Sequence, residues 1–375
     1  MSFKFLHTAD WQIGKRFGRF PAETASILNH ARLEAIDRIA ARATEHGARA
    51  VLVAGDVFDS ETLPDALVRK ALSRLAAHSG IVWHLLPGNH DPARPGGLWD
   101  GLAHGLPGNV QVIVRSQPVE IDTGVVLLPA PLLAKSSSVD PTAWMSEAPS
   151  PEGSIRIGLA HGSVQGFGSQ AEASIQIDPR RAHAARLDYL ALGDWHGTKE
   201  IGRETWYAGT PEPDSFADND PGHVLAVTIP AAGAPPEVAR VATATYRWLA
   251  RRVIVSRIED VQPILAEIER LEPNAGRHLL DLRLEGRLAP ADGSMLDRHL
   301  ADLAARLLHV RHDRSRLRFS AGAADLERLQ VGALRTVAQR LAAAAEQDDP
   351  QARIAAEALT RLFVLDAALD AGGAA

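Results

Sequence analysis

Leu85-Leu86-Pro87-Gly88-Asn89-His90-Asp91 joins the end of an apolar run to a sharp turn and then to three polar side chains. The apolar run starts at Trp83 and has the composition of a short buried strand. Polar side chains directly after such a strand lie at its carboxyl end, where open α/β sheets place their binding and catalytic residues. The stretch therefore predicts a parallel sheet with a reactive site at one edge.

The same layout, an apolar run followed by Asp, Gln or His, occurs at four other places in the chain. These are Leu6-His7-Thr8-Ala9-Asp10-Trp11-Gln12, Val51-Leu52-Val53-Ala54-Gly55-Asp56-Val57-Phe58-Asp59, Ile157-Gly158-Leu159-Ala160-His161-Gly162 and Leu190-Ala191-Leu192-Gly193-Asp194-Trp195-His196-Gly197. The carboxyl ends of parallel strands meet at one edge of a sheet. Five strands that end in this way therefore predict one shared site.

The pattern along the chain predicts an α/β fold. Residues 23–46 and 64–77 have apolar side chains at helical spacing, and each segment lies between two predicted strands. A strand-rich half follows, so we expect a two-layered β-sandwich flanked by helices. Past Trp248 the pattern indicates a small α+β domain whose last strand is short, residues 317–319, and then helices over 325–345 and 351–368. The predicted divisions are 1–245, 246–322 and 323–375.

Composition restricts the chemistry. The 375 residues include no cysteine, which excludes disulfides, thiolate metal sites and cysteine nucleophiles. Any metal must therefore bind to His, Asp, Asn or water, a ligand set that suits Mn, Mg, Fe or Zn. The net charge of −6 argues against coating nucleic acid by bulk electrostatics, although a local basic groove remains compatible with it. With no signal peptide and no apolar run of membrane-spanning length, a cytoplasmic protein is expected.

The side chains at the strand ends are hard ligands of the kind that bind paired divalent ions. Two ions that act together on a phosphate lie roughly 4 Å apart and share a carboxylate, and Asp56, directly after a buried strand, is the natural bridge. The other candidate ligands are Asp10, Gln12, Asn89, His161, Asp194 and His196. His90 carries a proton at useful pH, and Asp91 or Asp59 is expected to hold its ring and stabilise the imidazolium.

These motifs resemble the calcineurin-like metallophosphoesterases. The matching segments are Asp10-x-Gln12, Gly55-Asp56-x-Phe58-Asp59, Gly88-Asn89-His90-Asp91, Ala160-His161-Gly162 and Gly193-Asp194-Trp195-His196-Gly197, in that order. Within the superfamily the chain resembles the SbcD-type DNA repair exonucleases. The opening Leu6-His7-Thr8-Ala9-Asp10-Trp11, the Phe58-Asp59 extension and Tyr207-Ala208-Gly209-Thr210-Pro211 carry that finer similarity, and the motifs cover residues 3–216.

The resemblance implies a metal-dependent DNA phosphodiester hydrolase, an exonuclease that could also have endonuclease activity. It would use a two-metal mechanism. Mn is the expected ion, and Mg and Fe are the alternatives. One ion would be held by Asp10, Gln12, Asp56 and His196, and the other by Asp56, Asn89, His161 and Asp194. His90 would act on the scissile phosphate or the leaving oxygen as general acid or transition-state stabiliser. An SbcC-like coiled-coil ATPase, bound by the C-terminal helices, and a homodimer are also implied.

Two positions depart from the family pattern, because Gln12 and Asp194 stand where the family normally has histidine. A glutamine binds metal through its amide oxygen more weakly than an imidazole does. An aspartate replaces a neutral ligand with an anionic one, and this favours hard ions such as Mn or Mg over Zn. Both changes affect the expected ligand sphere.

Two rival functions share these motifs. A phosphodiesterase for small molecules or cyclic nucleotides would use the same ions, and a protein with a weakened site would serve as a scaffold for an ATPase. Cationic side chains near the strand ends are the candidate DNA contacts: Lys15, Arg16, Arg19 and Arg94. An ordinary solvated loop explains these cations equally well, so the sequence leaves both interpretations open.

Overall fold

The computed structural model describes residues 2–166, 175–320, 326–327, 329, 332–347 and 350–372. The chain forms two compact units, Met1–Tyr246 and Arg247–Ala375. The helices of the first unit are α1 (Ala22–Glu45), α2 (Asp65–Ala77), α3 (Leu98–Leu102) and α4 (Arg181–Ala184). Its strands are β1 (Phe3–Thr8), β2 (Ala50–Val53), β3 (Val82–Leu85), β4 (Val110–Val112), β5 (Val119–Asp122), β6 (Val125–Ala130), β7 (Ile155–His161), β8 (Ser163–Val164), β9 (Gln176–Ile177), β10 (Tyr189–Gly193), β11 (Lys199–Gly202), β12 (Thr205–Tyr207), β13 (His223–Ile229) and β14 (Glu237–Ala242).

The first unit contains two six-stranded sheets. The first sheet has the order β14-β13-β1-β2-β3-β4, and the second has the order β11-β12-β10-β7-β6-β5. In the first sheet β1, β2, β3 and β4 are mutually parallel, and β13 joins β1 in the antiparallel sense. In the second sheet β6, β7, β10 and β12 are parallel neighbours, flanked by antiparallel β5 and β11. Each sheet therefore has a parallel centre with a common carboxyl edge.

Apolar side chains on both faces of each sheet pack the sheets and helices into layers. Phe5 and Leu52 of the first sheet pack with Leu159 and Tyr189 of the second in one buried cluster between the sheets. The opposite face of the first sheet packs against α1 and α2, and the opposite face of the second packs against short helical segments that include α4. The predicted α/β fold, two layered sheets flanked by helices, is confirmed.

The second unit contains a small parallel sheet. Its strands are β15 (Arg247–Val255), β16 (His278–Leu288) and β17 (His309–Phe319), and its helices are α5 (Gln262–Arg270), α6 (Gly293–Arg306), α7 (Ala333–Ala345) and α8 (Pro350–Gly372). The sheet order is β15-β16-β17 with both pairings parallel, and α5 and α6 bury one face of it. Within the described ranges, no helix combines the length and the apolar composition needed to cross a membrane.

The last strand of this unit is longer than the sequence indicated. We predicted a strand over 317–319, and β17 runs from His309 to Phe319. Arg311, Arg316 and Arg318 lie within the strand and are exposed, because the helices cover the other face. A strand with one solvated face shows a run of charges that resembles a loop. The start that we predicted for the first C-terminal helix, residue 325, lies outside the described residues.

Buried His84 makes the stability of the first unit sensitive to acid. The side chain lies inside β3, paired with Leu52 of β2, and burial lowers its pKa from 6.5 to about 4. The folded state therefore binds fewer protons than the unfolded state below pH 6.5, so stability falls as the pH falls from 6.5 toward 4.

We expect His84→Leu to remove this part of the acid sensitivity. At pH 5 the difference in the pKa of His84 between the unfolded and folded states corresponds to about 2 kcal/mol of unfolding free energy. Urea titrations at pH 7.5 and pH 5 measure it, with exposed His104→Leu as the matched control. An equal loss of stability between the two pH values in the wild type and in His84→Leu would contradict the assignment.

Candidate metal centre

The structure brings together the side chains that the sequence placed at strand ends. Asp10 and Gln12 follow β1, Asp56 follows β2, Asn89 and His90 follow β3, His161 ends β7, and Asp194 and His196 follow β10. Ligand atoms of Asp10, Asp56 and His161 all lie within 4.8 Å of one another, and all three residues are buried. Residues from both sheets thus meet at one site.

The backbone holds these loops in register. Beyond the ends of β1 and β2, the Asp10 amide donates to the Gly55 carbonyl at 3.1 Å, and the Gln12 amide donates to the Asp56 carbonyl at 2.8 Å. Asp10, Gln12 and Asp56 adopt φ values of 54°, 40° and 54°, and Asp194 adopts 96°. Such values are costly for residues with a side chain and concentrate at functional sites. Four of the candidate ligands are therefore held in strained backbone.

Two glycines allow the loops to approach closely. A Cβ atom on Gly88 would lie 2.1 Å from Oδ1 of Asp56, and one on Gly55 would lie 2.2 Å from Nδ1 of His161. Both distances are far below van der Waals contact, so no larger residue fits at either position. The positions that precede Asp56 and Asn89 in the sequence motifs are therefore glycine for a steric reason.

His90 stands at the exposed side of the cluster. Its Nδ1 lies 2.9 Å from the backbone carbonyl of Asp59, and since a carbonyl only accepts, Nδ1 carries the hydrogen. Nε2 lies 3.9 Å from Oδ2 of Asp56, and 44% of the side chain is exposed. The ring is therefore oriented by Asp59, through its carbonyl, with Nε2 directed at the cluster.

Asp91 has a different environment from the one that we predicted. Its carboxylate accepts the amide hydrogens of Gly88 at 2.7 Å and Phe58 at 3.0 Å, and the residue is fully buried. Burial raises its pKa well above the usual value, and the nearby Asp56 adds to this effect. Of the two residues expected to hold the His90 ring, Asp59 provides the hydrogen bond, through its backbone carbonyl, and Asp91 connects the loops after β2 and β3.

A family model for calcineurin-like phosphoesterases matches residues 3–197, which is more than half of the chain. The chain belongs to this family. Among solved structures, TT1561 of Thermus thermophilus is similar at 11% sequence identity and a TM-score of 0.40, over 64% of this chain and 99% of that one. No curated protein sequence matches the chain.

Calcineurin-like phosphoesterases bind divalent metals, and the atoms around His161 fit one ion. Its Nε2 lies 3.3 Å from Oδ1 of Asn89, 3.5 Å from Oδ1 of Asp56 and 3.8 Å from Oδ1 of Asp194. Ligand atoms that are each about 2.1 Å from a common ion lie roughly 3 to 4 Å apart. Each of the three distances from His161 therefore lies in the range expected for two ligands of one ion.

The two candidate histidine ligands are oriented for metal binding. Nδ1 of His161 donates to the Ala54 carbonyl at 2.8 Å, and Nδ1 of His196 donates to Oδ2 of Asp214 at 2.9 Å. Each contact is made by Nδ1, so Nε2 is the atom that would bind a metal. Carboxylate and carbonyl partners of this kind fix the tautomer of metal-binding histidines and raise their basicity.

The electrostatics of the cluster also favour cations. Burial raises the pKa of Asp10 to about 6, with His196 and His161 opposing the shift. Burial lowers the pKa of His161, but Asp56, Asp10 and Asp194 outweigh it and raise the value to about 9. The carboxylates of Asp10, Asp56 and Asp194 that surround His161 provide the negative charge that divalent ions neutralise. The residues present therefore fit the metals that the family binds.

Two of the four candidate DNA contacts are engaged by carboxylates. The Lys15 ammonium donates to Oδ2 of Asp214 at 2.6 Å, and Arg94 donates through Nε and Nη2 to the carboxylate of Glu61. Arg16 and Arg19 are exposed. The structure thus assigns Lys15 to the metal centre, and Arg16 and Arg19 remain the candidate phosphate contacts.

Sequence reasoning missed the residues that support the ligands. Asp214 holds both His196 and Lys15, Ser163 donates to Oδ2 of Asp194 at 2.8 Å, and fully buried Arg32 donates to the carbonyls of Asp10 and Trp11. Arg32 was open to detection, because it is a charged residue on the apolar stripe of α1. Asp214 belongs to the alternating Pro211-Glu212-Pro213-Asp214, a pattern that has no fixed structural meaning.

Proposed function

We propose that this calcineurin-like phosphoesterase hydrolyses DNA phosphodiesters as an exonuclease. The observation that carries the proposal is the position of His90, half-exposed beside Asp56 and oriented by Asp59. The sequence resemblance to the SbcD-type exonucleases supports DNA as the substrate.

The openness of the site supports a polymeric substrate. Side-chain exposure is 44% for His90, 27% for His196 and 26% for Asp194. Arg16 and Arg19 are exposed on the loop that follows Gln12, and arginines near a phosphoester site bind backbone phosphates. A small-molecule enzyme usually encloses most of its ligand, and that rival remains a defined outcome of the test below.

Manganese is the ion that we propose. Asp194 adds a hard carboxylate to the set of Asp56, Asn89 and His161, and oxygen-rich sites favour Mn or Mg over Zn. When bound, such ions polarise the phosphoryl group, neutralise its developing charge and make water nucleophilic. The two oxygens of Asp56 face different neighbours, the His90 backbone N–H on Oδ1 and the Gln12 amide on Oδ2, and Asp56 would be the carboxylate that holds both ions.

His90 is the proton donor in this proposal. Nδ1–H is held by the Asp59 carbonyl, so a proton that the ring gives up to the substrate would come from Nε2, the atom that faces the cluster. From there it is delivered to the leaving sugar oxygen, or it donates a hydrogen bond to a phosphate oxygen in the transition state. Asp59 lies with Oδ1 4.0 Å from Nδ1 and stabilises the imidazolium.

We also propose an SbcC-like coiled-coil ATPase as a partner of the C-terminal helices, and a homodimer. Support for the ATPase comes from the sequence resemblance and from exposed apolar side chains on α8, Ile354 at 70% and Leu365 at 65%. Helix faces of this type dock against partner helices.

The test is cleavage of end-labelled single- and double-stranded DNA with Mn, Mg or chelator, beside a chromogenic diester and a cyclic nucleotide. We expect Mn-dependent release of nucleotides from DNA ends. Arg16→Ala combined with Arg19→Ala should raise KM for DNA several-fold and leave diester hydrolysis unchanged, because each lost phosphate contact weakens polyanion binding. Arg180→Ala, an exposed arginine in another loop, is the matched control.

The other outcomes identify the rivals. Turnover of the diester or the cyclic nucleotide without DNA cleavage would replace the exonuclease with a small-molecule phosphodiesterase. Absence of both activities in a metal-loaded protein would leave the scaffold interpretation.

A further inference from the structure

The orientation of the Gln12 side chain follows from its partners. The Lys15 ammonium lies 2.8 Å from the side-chain oxygen of Gln12, and an ammonium only donates, so that atom must be the carbonyl oxygen. The amide nitrogen then lies 3.3 Å from Oδ2 of Asp56 and 3.3 Å from Nε2 of His196. The carboxylate oxygen of Asp56 only accepts. The Lys15 ammonium and the Asp56 carboxylate therefore agree on one orientation.

Lys15 is itself fixed in place. Its ammonium also donates to Oδ2 of Asp214 at 2.6 Å, and its backbone amide donates to the Gln12 carbonyl at 3.1 Å. Asp214 is 3% exposed, and Lys15 is 27% exposed. Rotating the Gln12 amide by half a turn would place its NH2 group against the ammonium and its oxygen against the Asp56 carboxylate. Two favourable contacts would become two repulsive ones.

We propose that Gln12 serves as a hydrogen-bond donor within the centre rather than as a metal ligand, and that Lys15 is the positioning residue that sets this orientation. The sequence resemblance had implied ligation through the amide oxygen. One ion then has three side-chain ligands, Asp10, Asp56 and His196. The other has the four that the resemblance assigns to it, Asp56, Asn89, His161 and Asp194, so the two ions bind with unequal affinity. This inference deepens the proposed function and rests on it only for the presence of two ions.

The first test is Mn2+ binding. It is measured by isothermal titration calorimetry and by the electron paramagnetic resonance signal of free Mn2+. We expect two unequal affinities in the wild type. Gln12→Ala should change the weaker affinity by less than about threefold, and Asp10→Ala should abolish it. A loss of about tenfold or more in Gln12→Ala, the range typical of groups that act on a bound metal, would overturn the proposal.

A double-mutant cycle tests the role of Lys15. Lys15→Met frees the Gln12 side-chain oxygen to turn toward the metal centre. The affinity for the more weakly bound ion should therefore increase by about tenfold. Part of any gain in Mn2+ affinity arises from the loss of a positive charge. Lys15→Met is therefore also made in the Gln12→Ala background. Arg16→Met, from the same loop, is the control for the change in charge. The gain from Lys15→Met should be larger when Gln12 is present than when it is alanine. Equal gains would overturn the positioning role.

These measurements separate the inference from the proposed function. Metal affinities report on Gln12 and Lys15 whether or not DNA is cleaved. A protein that binds two ions unequally but cleaves only small diesters would retain this inference and lose the exonuclease.

Discussion

His90→Ala is expected to lower hydrolysis by roughly a hundred- to ten-thousand-fold, the usual contribution of a positioned general acid. The metal content should remain close to that of the wild type. The physical reason is that His90 contacts the cluster only from the side, with Nε2 3.9 Å from Oδ2 of Asp56. His161 and His196, in contrast, direct lone pairs at the centre. Turnover with saturating Mn and metal analysis of the same preparation measure both quantities.

The matched control is His104→Ala, which removes an exposed imidazole from the same unit and should retain full activity. A leaving group of low pKa, such as nitrophenolate, needs little protonation. The His90→Ala defect should therefore be smaller on a nitrophenyl diester than on DNA. Loss of bound metal in His90→Ala would show that the imidazole is a ligand, and an equal defect on both substrates would remove the general-acid role.

Arg32→Met is expected to have the largest effect on stability, a loss of about 3–5 kcal/mol of unfolding free energy. The guanidinium is 2% exposed and donates to the carbonyls of Trp11, Glu212 and Asp10 and to the hydroxyl of Thr210. Methionine fills similar space but removes the donor to the buried carbonyls of Trp11 and Asp10 and a counter-charge from the buried carboxylates nearby. Urea unfolding in the presence of chelator isolates this effect from metal binding.

Arg42→Met supplies the comparison, because Arg42 lies on the same helix, is 40% exposed and pairs with Glu45 at the surface. Exposed pairs of this kind contribute about 1 kcal/mol or less. A similar unfolding free energy for Arg32→Met and Arg42→Met would show that the buried network is dispensable.

The fold was predictable because its signals are local and repeated. Each parallel strand of the site is a short apolar run followed by a polar residue, and Gly55 and Gly88 have a steric reason to be glycine. The helices after β1 and β2 have periodic apolar faces, and α1 was predicted within a residue at each end. In the second unit β17 was underestimated, because its solvated face places arginines where a loop would also have them.

The candidate site was predictable as a set of residues but not as a set of contacts. Asp10, Asp56 and His161 do lie together, whereas the partner of each side chain depends on segments far away in sequence. Asp214 reaches Lys15 across 199 positions. No periodic pattern in the sequence predicts a contact between residues so far apart. The orientation of Gln12 and the engagement of Lys15 therefore required coordinates, as did the positive φ values of the ligands.

The order of the ligands along the chain has a consequence for synthesis. Asp10 and Asp56 emerge from the ribosome early, His161 comes from the second sheet, and the partner of His196 is Asp214. A nascent chain thus carries the carboxylates of the first sheet long before the histidines that complete the centre. Premature termination before residue 214 would leave a fragment without the partner of His196, so we expect a truncated product to lack the activity of the whole unit.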